Sequence, residues 1–294
     1  MISNFISRLL RRYIKSRNLP VLLHKIKFRF IHGYWPNLDN PRRFSEKILY
    51  RILFVDDPLY YLYANKALAP YYIRSLRIED LKTNETYGTW NKFTESLLEE
   101  LPNKFVVKST YGSGLNLIVQ NKQKLTTEAL TKFNTKLKTI TNAKGIGTQY
   151  NGALVEKYLD GDDTSIRDFK IHCFWSDDGE FDYFFHVDTH RFTERYGRAY
   201  FNSNHNRIDR VFLDIPELAE NSTLPKNIDR MIEIAKMLSS DFSYIRVDLY
   251  STNDEIYFSE ITPYHQGGIA KVFTPEADYH YGSKWGKEKR FIPS

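Results

Sequence analysis

From Ile245 onward the chain alternates. Ile245, Val247 and Leu249, then Tyr257 and Ile261, are apolar at odd positions, while Arg246, Asp248, Glu260 and Thr262 stand at even ones. A side-chain period of two marks strands with one face turned to a core. The polar stretch Thr252-Asn-Asp-Glu255 between the two runs predicts a β-hairpin. That turn would place Asp248 almost directly across from Glu260, and opposed carboxylates on neighbouring strands repel. The pairing therefore implies a cation between them, with Mg²⁺ on a nucleotide phosphate the natural oxygen-seeking one, or else a solvated polar face.

Upstream, the patterns switch between helical and strand periods. Residues 1–64 read as mainly helical. A turn at 40–45 precedes a helix over 46–53 with Ser45 as N-cap, and a second helix is expected over 59–74. Residues 93–101 also read as helical. The run 105–108 predicts a buried strand, 109–116 a glycine-containing loop, 117–119 a return strand and 126–137 a helix. Strands are expected over 153–159, 169–175 and 182–187, the last two joined at Ser176-Asp-Asp-Gly179. Across 225–239, Ile228, Met231, Ile234, Ala235 and Leu238 form one helical stripe. Strands and helices in this mixed order predict an α+β fold. Three parts are expected: a basic, mainly helical region 1–64, a subdomain 65–153 carrying the glycine loop, and a subdomain 154–294 carrying the hairpin.

Composition narrows the setting. A single cysteine, Cys173, in an apolar run excludes an internal disulfide and disfavours a thiolate metal site, which fits a reducing, intracellular protein. No apolar run approaches the roughly 18 residues needed to span a bilayer. The net charge of +6 is unevenly placed. Arg8, Arg11, Arg12, Lys15, Arg17, Lys25, Lys27 and Arg29 all precede the first acidic residue, Asp39. With Phe5, Ile6, Leu9, Leu10, Tyr13 and Ile14 near helical spacing, this segment either lies on an anionic membrane or polymer surface or packs on its own domain. No nucleic-acid recognition motif accompanies the charge.

Several segments carry chemistry. Lys108-Ser-Thr-Tyr-Gly-Ser-Gly114 joins a strand-end lysine to a hydroxyl-rich glycine loop able to cradle phosphate, or simply to connect a hairpin. It is no Walker A loop, because the lysine precedes the glycines. Val155-Glu-Lys-Tyr-Leu159 either offers backbone groups and Glu156 to an adenine edge, with Asp162 or Asp163 near a ribose, or is an edge strand with an acidic turn. Asp168, Lys170 and His172 share one strand face, which makes either a site or a wet surface. Arg191 and Arg195 are candidate anion clamps. His186 and His190 lack the helical spacing of a zinc pair.

The order of these segments is more specific than any one of them. Asn65-Lys66, the Lys108 loop, the 156–159 strand end, Asp168-Phe-Lys170 and the Arg246-Val-Asp…Ser-Glu-Ile-Thr-Pro263 hairpin succeed one another. This order resembles the ATP-grasp superfamily, and most closely the TupA-like ATP-grasp proteins of bacterial surface-polysaccharide gene clusters, over about 40–285. Asn40-Pro-x-x-Phe-Ser-Glu-Lys47, Met231-Ile-Glu-Ile-Ala-x-x-Leu238 and Phe242-Ser-Tyr-Ile-Arg-Val-Asp-Leu-Tyr250 look like that family too.

The resemblance implies two α+β subdomains sandwiching ATP. Lys66 and Lys108 would hold phosphates under a loop containing Gly112, Ser113 and Gly114. Glu156, Lys157, Tyr158 and Leu159 would form the adenine hinge, with Asp168 also on the nucleotide. Lys108, Arg246, Arg191 and Lys170 would serve catalysis, and Asp248, Glu260 and Thr262 would hold Mg²⁺. Two residues depart from the family pattern: Asn65 stands in place of aspartate before Lys66, and Thr262 in place of a metal-binding asparagine.

The implied reaction is ligation of a carboxylate to an amine through an acyl phosphate. The partners would be a uronic acid or other sugar carboxylate and an amino acid or amine. The setting would be cytoplasmic, at or near the inner face of the membrane. A glycosyltransferase, a glycan kinase and a catalytically degenerate nucleotide-binding scaffold are the alternatives.

Overall fold

A computed structural model describes residues 18–112, 114–143, 152–159, 167–189, 194, 196–217, 224–252, 254–268 and 270–288. The helices are α1 (Asn18–His32), α2 (Phe44–Phe54), α3 (Pro58–Ala64), α4 (Ala69–Ser75), α5 (Thr127–Ala143), α6 (Ile228–Ser239) and α7 (Pro275–Lys284). None of the described helices is long and apolar enough to cross a membrane. The strands form two sheets, so the fold is α+β as expected.

The smaller sheet is antiparallel. It contains β2 (Thr86–Trp90), β3 (Phe105–Ser109), β4 (Asn116–Val119) and β5 (Ala153–Lys157), in the order β2-β5-β3-β4. Phe105, Val107, Ala153 and Val155 bury one face against Leu130, Phe133 and Leu137 of α5. Lys108 and Glu156 therefore lie on the other face, by the period of two.

The larger sheet contains β1 (Leu81–Thr83), β6 (Arg167–Trp175), β7 (Phe181–Thr189), β8 (Gly197–Phe201), β9 (Arg207–Ile208), β10 (Tyr244–Thr252) and β11 (Glu255–Thr262). Its order is β1-β11-β10-β6-β7-β8-β9, and only β1 pairs in parallel, with β11. Phe169, Ile171 and Cys173 of β6 and Ile245, Val247 and Leu249 of β10 pack on the α6 stripe of Met231, Ile234, Ala235 and Leu238. Burying such aliphatic side chains contributes roughly 1.5–3 kcal/mol each. Burial pushes the Cys173 thiol up to about 12, leaving it an inert core residue. The opposite face is dry as well. Phe174, Phe184, Tyr200, Tyr244 and Trp285 build a second core there, which adjoins the ionisable residues.

Local chemistry moves several boundaries. The helix expected over 59–74 is two helices, because Asn65 turns extended (φ −89°, ψ 110°). Its Oδ1 accepts from the N–H groups of Ala67 and Leu68 at 2.8 and 3.1 Å, an Asx-type turn that outcompetes the helix. Pro70 then stands in the first turn of α4, where its missing N–H costs nothing. The N-cap of α2 is Arg43 rather than Ser45. Ser45 lies inside the helix and donates its hydroxyl to Asp278 of α7 at 2.6 Å.

Residues 93–101 hold only a short 3₁₀ turn, Glu95–Leu98. β2, unforeseen because its aromatic residues carry no clear alternation, covers the flank of β5. That makes β5 a central strand rather than an edge, and it places 153–157 in the smaller sheet, across the boundary expected at 153/154.

The base of the hairpin is tied to the helical region through Arg51, which is fully buried. Its Nη1 donates to the carbonyls of Tyr244 and Pro263 at 2.8 and 3.0 Å, and its Nε donates to Glu288 at 2.8 Å. The entry to β10 and the exit from β11 are thereby held in one place.

Candidate functional site

The hairpin forms with Asp248 opposite Glu260 and Arg246 opposite Thr262. The odd–even rule then fails at one residue. Leu249 pairs with Phe258, so Ser259 is a bulge, and beyond it the parity of β11 reverses. Ile256, Phe258 and Ile261 reach the core, and Tyr257, expected there, does not. Without the bulge, Glu260 and Phe258 would share one face.

The charge between the two carboxylates belongs to the protein. Arg246 donates from Nε and Nη2 to both oxygens of Asp248 at 2.6 Å, and from Nη2 to Glu260 at 2.9 Å. Lys170, on the neighbouring strand β6, donates to Asp248 at 2.9 Å and to Asp168 at 2.5 Å. Lys66, at the break between α3 and α4, lies 3.2 Å from Glu260 and donates to the Gly112 carbonyl at 2.6 Å. One ammonium thus links the hairpin to the glycine loop, where Gly112 and Gly114 adopt φ of +78° and +85°. On the smaller sheet Lys108 lies 2.6 Å from Glu156 and also feels Tyr250 and Glu260.

Electrostatics keep these groups charged. Burial opposes the charge of Glu260, but Lys66, Arg246 and Lys170 outweigh it and hold the carboxyl well below its usual range. Burial likewise opposes the ammonium of Lys170, which Asp168 and Asp248 hold above its ordinary value. Lys108 is held up in the same way by Glu156. Burial pushes the Asp248 carboxyl up against the pull of Arg246 and Lys170. The two short bonds from Arg246 mark it as a carboxylate nonetheless.

Beside Arg246 lies a layer of histidines that the spacing gave no reason to group. His172, His186 and His265 are fully or almost fully buried. The His172 ring centroid lies 5.2 Å from that of His186 and 4.9 Å from that of His265. Burial, then neighbouring cations, pushes all three well below the ordinary imidazole value. His265 Nδ1 accepts from Arg246 Nη1 at 2.9 Å, so its proton sits on Nε2. The next residues, Gln266, Gly267 and Gly268, all adopt positive φ.

The structure thus gathers Lys66, Lys108, Gly112, Gly114, Glu156, Asp168, Lys170, Arg246, Asp248, Glu260 and Thr262 between the two sheets. The Thr262 hydroxyl donates to Glu260 at 3.3 Å. The Asp168–Lys170–His172 face is buried, not wet. Glu156, expected to accept from an adenine amine, is committed to Lys108. The backbone N–H and C=O of Lys157 already pair with Glu85 and with the Asn84 side chain. Tyr158 accepts from Gln120 at 3.2 Å on the outer side. Leu159 is half-buried. Ser113, Asp162, Asp163, His190, Arg191 and Arg195 lie outside the described residues.

The donor set suits a hard cation in part. Glu260, 22% exposed, faces the cleft with its oxygens shared among Arg246, Thr262 and Lys66, whereas both oxygens of the fully buried Asp248 are engaged by Arg246 and Lys170. No group of three or more His, Cys, Asp or Glu residues is placed to hold a metal among the described residues. Any divalent ion would therefore share this pair of carboxylates with a ligand that brings its own oxygens.

A sequence model of the TupA-like ATPgrasp family matches residues 46–285. No curated protein matches the chain by sequence. Among solved structures, the D-alanine–D-alanine ligase of Helicobacter pylori is 17% identical, with a TM-score of 0.46 over 76% of this chain and 59% of that one. The L-amino acid ligase of Bacillus licheniformis is 14% identical, with a TM-score of 0.46 over 87% of this chain and 57% of that one. The chain spans less than two thirds of the length of either.

Proposed function

The chain belongs to the TupA-like ATP-grasp family, and on that premise we propose that it is an ATP- and Mg²⁺-dependent ligase joining a carboxylate to an amine. The observation that carries this reading is the charge balance of the cleft. Lys66, Lys108, Lys170 and Arg246 meet Glu156, Asp168, Asp248 and Glu260, four cations against four carboxylates. A triphosphate entering a balanced, low-dielectric cleft adds uncompensated negative charge unless a cation enters with it. Mg²⁺ on Glu260 and Asp248 is the fitting one, and when bound it would neutralise phosphate oxygens.

The residues of the chain supply position and charge. Lys66 and Lys108 would turn from Glu260 and Glu156 to phosphate oxygens, with the loop at Gly112 moving with Lys66. Arg246 and Lys170 would stabilise the transferring phosphoryl group and the acyl phosphate it creates on the substrate carboxylate. The amine then displaces phosphate, a step that requires no protein nucleophile.

Asn65 does not speak against activity. The turn that presents Lys66 uses the side-chain oxygen, which asparagine and aspartate both possess. For substrates we infer a uronic acid of a surface polysaccharide or its precursor as acceptor and an amino acid or amine as donor, from the family resemblance.

The test is incubation with ATP, Mg²⁺, hydroxylamine and a panel of uronic acids. ADP release with hydroxamate formation is the expected outcome. ADP release with a phosphorylated sugar would make it a kinase. Consumption of a nucleotide sugar with ATP inert would sink the reading, and tight ATP binding without turnover would make the chain a scaffold.

A further inference from the structure

The helix α1 carries an apolar face that the described residues leave exposed. Phe28 and His32 turn inward, and Phe28 packs with Leu38 and Leu49. On the outward side Leu22 is 39% exposed, Leu23 56% and Phe30 84%, with Ile26 half-buried between them. At 3.6 residues per turn these four side chains fall within an arc of about 100°. Trp35, just past the helix end, is 58% exposed. Exposed Lys27 borders the arc on one side and exposed Arg29 on the other.

We propose that this face is a docking surface for an anionic lipid bilayer, on which α1 lies in the plane of the headgroups. Charge and apolarity together select this occupant. The eight lysines and arginines before Asp39 stand with no acidic residue among them, and the rest of the chain is slightly acidic. An anionic surface is therefore attracted to this end more than to the rest of the chain, each cation near the surface contributing about 1 kcal/mol. An anionic glycan would satisfy the charges but offers nothing to Leu23 and Phe30. A second copy would satisfy the apolar face but brings a second set of cations against the first. A bilayer of acidic lipids satisfies both, with phenylalanine and leucine below the headgroups, Lys27 and Arg29 at them, and a tryptophan at the boundary. The placement holds whether or not the ligase reading does.

The test is flotation of the full chain with vesicles of phosphatidylcholine alone and of phosphatidylcholine mixed with phosphatidylglycerol. Binding to the mixed vesicles only is expected. Phe30→Glu and Leu23→Glu should each weaken it about tenfold, and the double variant Lys27→Glu, Arg29→Glu should abolish it, all with unchanged thermal unfolding of the fold. Equal binding to neutral vesicles, or wild-type binding by Phe30→Glu, would overturn the proposal. So would a dimer in solution that Phe30→Glu dissociates while no vesicle binds.

Discussion

Nη1 of Arg246 donates to Nδ1 of His265 at 2.9 Å, and this bond completes the guanidinium's engagement with Asp248 and Glu260. His265 can accept only while neutral, and its burial keeps it so. His265→Ala should leave Arg246 short of one partner in a dry site. A bond to a charged group contributes about 1.5–3 kcal/mol, so kcat is expected to fall by tenfold or more. The KM for ATP should stay within about twofold, since the imidazole touches no phosphate-holding lysine. Steady-state kinetics of ADP release check this. An unchanged kcat would mean that Arg246 is oriented by its carboxylates alone.

Acid should unfold the protein early. His172, His186 and His265 have pKa values in the fold well below the ordinary 6.5. For a base depressed in the folded state, the contribution to stability is full above the unfolded value. It is lost as pH falls, because the unfolded chain takes up protons that the fold excludes. Three such rings give a slope of up to about 4 kcal/mol per pH unit below roughly pH 6.5. Urea unfolding between about pH 7 and pH 5 measures it, above the range where carboxylates titrate. His186→Phe, which fills the site with an untitratable ring, should reduce the slope by about a third.

Asp248 and Glu260 should separate by burial. Asp248→Asn strips a fully buried carboxylate from Arg246 and Lys170 and should cost about 3–5 kcal/mol as well as turnover. Glu260, 22% exposed, lets water reach its cations, so Glu260→Gln should lose turnover at a cost below about 2 kcal/mol. Denaturant midpoints and ADP release together decide. If Asp248→Asn retains activity, the metal assignment fails.

Gly268 has φ +76°, and a β-carbon there would fall 2.8 Å from Ile52 Cδ1 and 3.2 Å from Ile48 Cγ2. Gly268→Ala therefore combines a left-handed backbone with a clash against α2. A loss of about 1–3 kcal/mol in chemical unfolding is expected. Gly179, also at positive φ but with open space around it, should lose less on the same substitution.

Much of this was legible in the residues because the determining interactions are local. Period-two alternation put Asp248 and Glu260 at polar positions of one hairpin, and the helical stripe of 228–238 announced the core-facing side of α6, since both follow from backbone geometry alone. The strand lysine before two glycines marked the loop for the same reason.

What lay beyond reach were partners distant in sequence. Nothing near Glu156 says that Lys108, on β3, its neighbour in the sheet but two strands earlier in the chain, would claim its carboxylate. No spacing joins His172, His186 and His265, which come from β6, from β7 and from the turn after β11. The Ser259 bulge reversed the parity of β11, because Ile256 and Phe258 gain more from the core than one ladder position is worth. The chain by itself determined which residues are charged and which face of each element they occupy. Only the tertiary structure decided which charges meet, because pairing across sheets depends on strand order and burial, and in a dry cleft each charge must take whichever partner the fold brings within reach.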